Sequence, residues 1–132
     1  MKRMKRWFGL PFRDFRLGIK NLITWFPIIW NDHQWDQVYI YIMLHKKLVL
    51  MQKFYEEGNT YCIKAPVTLK EIKICKFALE RLIKDDYLPD SFLAEKDRTK
   101  ARNMCALAEV RHKQDIEILV NTMRKHIRTW WD

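Results

Sequence analysis

The chain has 132 residues, 48% hydrophobic, 14% aromatic and 31% charged, with 3 Gly and 4 Pro. That length suits one domain with its own core, and the composition excludes a disordered chain, a turn-rich all-β protein and a Gly-rich phosphate loop. The net charge of +9 favours an anionic partner: nucleic acid, a nucleotide or a lipid surface.

The excess charge is concentrated early, where residues 1–31 hold seven bases against the single acid Asp14. Residues 1–11 read as a basic arm. Lys2, Arg3, Lys5 and Arg6 precede Trp7 and Phe8, and Gly9 and Pro11 break any helix. From residue 12 to 132 the pattern is that of a single helical domain. Phe12, Phe15, Ile19, Leu22, Ile23 and Phe26 recur at helical steps, with Arg13, Arg16 and Lys20 on another stripe. Pro27 is expected to end this helix near Trp25 or Phe26.

A second helix is expected from Asn31 or Asp32, as cap, to about Glu57, stopping at Gly58 and Asn59. Its first half, with Trp35, Val38, Tyr39, Tyr41, Ile42 and Leu44, is apolar nearly all round and predicts a central helix. An extended piece is expected at Tyr61, Cys62 and Ile63. Thr68 and Glu71 have the spacing of a capping box for a third helix. That helix carries Leu69, Ile72, Cys75, Leu79 and Leu82 on one stripe and ends near Asp85 and Asp86. Asp90 or Ser91 suits a short helix, and a fourth long helix follows to about Thr129. Its apolar stripe is interrupted by Arg111, His112 and Asp115, which predicts a pocket, an interface or a bundle edge. Together these elements predict an all-α antiparallel bundle of three to four main helices.

Catalytic signatures are missing. Ser91 is the sole serine, and no Cys has a neighbouring His in sequence, so no enzyme activity is expected. Cys62, Cys75 and Cys105 are an odd, widely spaced set that fits a reducing, cytosolic setting. Glu109, His112 and Asp115 share a helix face, but a second Glu-x-x-His is missing, so no metal or other cofactor is expected. No membrane span is expected, and Arg13, Asp14, Arg16 and Lys20 interrupt any signal-peptide core.

Binding residues are easier to nominate. Trp30 and Trp35 flank a helix start, either as a hydrophobic staple or as a ring-stacking rim. Arg111 and His112, with Asp115, are expected to face Tyr39 and His45 of the central helix across a pocket. Arg124 and Arg128 lie next to Trp130 and Trp131, a pairing of bases and flat rings that suits a nucleotide; the two tryptophans are also expected to dock on the domain. The alternative is a nucleic-acid-binding or host-protein-inhibiting protein that uses the arm from Lys2 to Arg16.

The run Trp25, Phe26, Pro27, Ile28, Ile29, Trp30, then Asp32, Trp35, Asp36 and Tyr39, resembles a group of small proteins encoded by tailed bacteriophages. That group follows the run with a Lys-rich helix like residues 46–55 and closes on Trp-Trp-Asp, as this chain does at its end. The similarity covers about residues 18–132, and the arm before residue 12 departs from it. The resemblance implies a small phage protein acting in the bacterial cytoplasm. It also implies an anti-defence sponge of the Sequestin type, which sequesters a nucleotide-derived immune signal and works as a homo-oligomer.

Overall fold

A computed structural model describes residues 12–33, 35–58 and 64–130. The basic arm, the 61–63 piece and Trp131 lie outside the described residues. The chain divides into two compact units, Met1–Tyr39 and Ile40–Asp132. Four α-helices and no strand are found among the described residues: α1 (Phe12–Trp30), α2 (Val38–Glu56), α3 (Ala65–Lys84) and α4 (Arg98–His126). The protein is all-α, with compact helix–helix packing.

The first unit holds α1. Pro27 does not end this helix; it lies inside it, and the helix runs on to Trp30. The proline removes one backbone donor, the partner of the Ile23 carbonyl. That position is open to solvent, with Ile23 exposed, so water can take the carbonyl's bond. Asn31 does not cap a following helix. Its amide donates to the Pro27 carbonyl (2.8 Å) and closes α1 from behind. The second helix therefore starts later than the sequence predicts, at Val38, whose N–H donates to Asp36 Oδ1 (2.9 Å).

The second unit is a three-helix bundle. His45 on α2 meets Glu80 on α3 (3.2 Å), and Glu56 further along α2 meets Lys73 (3.0 Å), earlier on α3. These two helices are therefore antiparallel. The same test pairs Arg81 with Asp115 and Glu71 with His126, so α3 and α4 are antiparallel too.

The core is formed by Leu48, Met51, Ile72, Cys75, Ala78, Leu79, Leu82, Leu119 and Trp130. Five of these nine lie on α3, with buried Thr68 beside them. The central helix is thus α3, not α2. A helix packed on two sides buries most: α3 pairs with α2 through Lys73 and Glu80 and with α4 through Arg81, and it buries six residues where α2 buries two. Thr68 is interior to α3 and opens no capping box; the helix begins at Ala65, with Pro66 in its first turn. Its end is as predicted: Asp85 takes a left-handed conformation (φ 49°) and its N–H donates to the Arg81 carbonyl. Asp97, which the sequence did not single out, caps α4 by accepting from Thr99 N–H (2.9 Å) and Lys100 N–H (3.4 Å).

Candidate functional site: a basic cleft between α3 and α4

The interrupted stripe of α4 is explained by one buried charge. Asp115 is buried, and α3 turns Arg81 towards it. The guanidinium grips the carboxylate with both prongs, Nε on Oδ2 at 2.8 Å and Nη2 on Oδ1. The loop after α3 brings Tyr87 back, and its hydroxyl donates to Oδ2 at 2.8 Å. Both oxygens of a buried anion are thus satisfied. The Arg81 bonds hold the Asp115 carboxyl below the usual carboxylate range. Burial and the bond to Asp115 push the Tyr87 phenol well up. The edge of Tyr87 meets the His112 ring, with centroids 5.4 Å apart at 80°.

Above this floor opens a cleft of about 460 Å³, whose lining includes Lys84, Tyr87, Arg111, Gln114 and Ile118. That is the size range of small-molecule sites. The Arg81 charge is neutralised by Asp115 beneath it. Lys84 and Arg111 at the rim have no ion-pair partner among the described residues. Asp86 adds one carboxylate, so the rim carries a net positive charge. The cleft offers two cations for an anion, an aromatic and aliphatic wall, and the Gln114 amide.

The sequence predicts that the polar turn of α4 faces Tyr39 and His45 of α2. For His45 the structure corrects this: within the second unit the turn faces α3 and the following loop. His45 instead lies on the α2–α3 seam against Glu80. Tyr39 belongs to the first unit, where its ring meets His33 edge-on (6.0 Å, 72°). Trp35 stacks face to face on His33 itself (5.1 Å, 3°) and is 85% exposed. Trp30 lies against Phe26 (5.2 Å) and is 74% exposed. Neither tryptophan staples a helix start by burial. Both are surface rings, because α1 and the link after it bury no described residue.

Arg124 and Arg128 are exposed. Arg124 stands thirteen residues beyond Arg111 on the same helix, roughly 20 Å away at 1.5 Å per residue, so one small ligand cannot bridge them. Trp130 is docked, as expected, and takes no part in a site. Of the nominated residues, the cleft contains Arg111, with His112 just behind Tyr87. Sequence reasoning missed Arg81, Lys84 and Tyr87. Their only signal was position, at the end of one helix and the loop after it, where an antiparallel partner must cross.

Glu109 pairs with Lys113 (2.6 Å), and among the described residues no three His, Cys, Asp or Glu side chains gather as a metal site. Likewise, no described helix is long and apolar enough to cross a membrane. Compared with known protein families, curated proteins and solved structures, the chain finds no match.

Proposed function

We propose that the α3–α4 cleft binds a phosphate-bearing, nucleotide-derived small molecule, and that the protein acts by holding this ligand rather than transforming it. The observation that carries this reading is the pair of cations Lys84 and Arg111, without an ion-pair partner among the described residues, over a cleft walled by Tyr87. A phosphate draws charge-assisted bonds from Lys84 and Arg111, and a base or ribose lies against Tyr87 and Ile118. The groups beneath support a binding role. Asp115 is occupied on both oxygens and the Tyr87 proton is held tightly, so neither is poised to exchange protons near neutral pH. Joined to the sequence resemblance, the reading becomes a phage-encoded sponge that sequesters a nucleotide immune signal in the host cytoplasm.

The test is a thermal-shift scan of the full chain against mononucleotides, dinucleotides, cyclic nucleotides and ADP-ribose derivatives. A ligand at 100 times its Kd is expected to add about 2.7 kcal/mol of stability and to be recovered intact. Arg111→Ala is expected to weaken that ligand roughly 10- to 100-fold, while Arg128→Ala and Trp35→Ala leave it unchanged. No shift with any compound overturns the proposal. Nucleic-acid binding that falls steeply with salt and is lost on deleting residues 2–8 supports the arm-based alternative instead.

A further inference from the structure

We infer that α1 is the interface of a homodimer, in which two copies of the helix pair antiparallel through their apolar faces. Phe12, Phe15, Ile19, Leu22, Phe26 and Ile29 are spaced alternately by three and four residues. That is the seam by which one helix packs along another. Every one of the six is exposed, from 42% at Ile19 to 78% at Phe12. Ile23 and Trp30 widen the strip, and both are exposed as well. Together the eight side chains show on the order of 1,000 Å² per copy, against roughly 800 Å² per partner in a standard interface. An apolar face of this extent is rare on a monomer.

Charge selects the direction. The bases of α1 are Arg13, Arg16 and Lys20, all in its first half, and residues 21–30 carry no charge. A parallel pair sets three cations beside three cations. An antiparallel pair sets each basic half against an uncharged one. The register then falls out of the spacing: Phe12 of one copy layers on Ile29 of the other, Phe15 on Phe26, and Ile19 on Leu22. Such an interface is self-complementary and closes at two copies. A membrane surface fits less well. A helix lying on lipid keeps a strongly polar face turned to water. Here the bases flank the apolar strip on one side only, Trp25 flanks it on the other, and Leu17 and Ile28 share the opposite face with Asn21 and Thr24.

Sedimentation equilibrium of the full chain tests this. A dimer is expected at roughly 10 µM, with Leu22→Glu and Phe15→Glu monomeric at unchanged helical circular dichroism. For direction, Ile19→Cys and Leu22→Cys chains are prepared with Cys62→Ser and Cys105→Ser. They are expected to form a disulfide when mixed and not when oxidised separately. A monomeric wild type overturns the proposal, as does a Leu22→Glu dimer or a disulfide from Ile19→Cys alone. A monomer that co-sediments with phosphatidylserine vesicles assigns the face to a membrane. A monomer destabilised by Leu22→Glu assigns it to an intramolecular contact. Either result overturns the dimer, and neither bears on ligand binding in the cleft.

Discussion

Replacing Trp130 by alanine is expected to destabilise the protein by about 4 kcal/mol, in the range for large aromatic truncations in a core. The side chain is 2% exposed and belongs to the core cluster. Its indole N–H donates to Glu71 Oε2 (2.9 Å), and the Tyr55 hydroxyl donates to its backbone carbonyl. Glu71 also holds His126 Nδ1 at 3.0 Å through its other oxygen. Trp130 thus ties the end of the chain to α2 and α3 together. Alanine leaves a cavity and also deprives Glu71 of a donor. Trp130→Phe keeps most of the apolar volume and loses the N–H, so about 1–2 kcal/mol is expected there. Urea unfolding followed by circular dichroism measures both. On the thermal scale the alanine variant should melt on the order of 10–15 °C lower. A loss under 1 kcal/mol for Trp130→Ala would show that the docked end contributes little.

Much of this architecture was legible in the sequence, for a physical reason that differs from element to element. The α3 stripe of Ile72, Cys75, Leu79 and Leu82 was readable because a helix packed on two sides must repeat its apolar residues strictly. Docking of Trp130 followed from the cost of leaving a tandem indole in water. Helix ends were less legible. Pro27 was expected to stop α1, yet a helix whose carbonyls face water tolerates the lost bond. Asn31 and Thr68 have the chemistry of N-caps, but the first caps a helix from behind and the second is buried within one. Local chemistry names a residue's abilities, and only the neighbouring elements decide which is used. The same limit applies to the cleft. The break in the α4 stripe at Arg111, His112 and Asp115 was visible. Its partners were not, because Arg81 and Tyr87 lie about thirty residues away and reach Asp115 only through the antiparallel crossing.

Asp115→Asn is the variant expected to separate fold from pH. At neutral pH it should be less stable than the wild type by about 2 kcal/mol. A fully buried ion pair broken from one side costs about 3–5 kcal/mol, but the Arg81 side chain is 39% exposed and regains water when its partner is lost. The gap should then depend on pH with a defined sign. Arg81, before all other causes, holds the folded Asp115 carboxyl below its ordinary value, whereas the unfolded chain titrates near about 3.9. A group depressed in this way stabilises the fold fully above its unfolded value and loses that contribution as pH falls through the folded one. Wild type and Asp115→Asn should therefore differ constantly above about pH 5 and converge as pH falls through about 4 and below. Denaturant unfolding at a series of pH values reads this directly, and other carboxylates cancel in the difference. A gap that stays constant down to pH 3 would mean that Asp115 is not clamped as an anion. The double variant Arg81→Met/Asp115→Leu supplies the complementary check. With both charges gone no guanidinium is left facing an apolar side chain, so it should be more stable than Asp115→Leu alone.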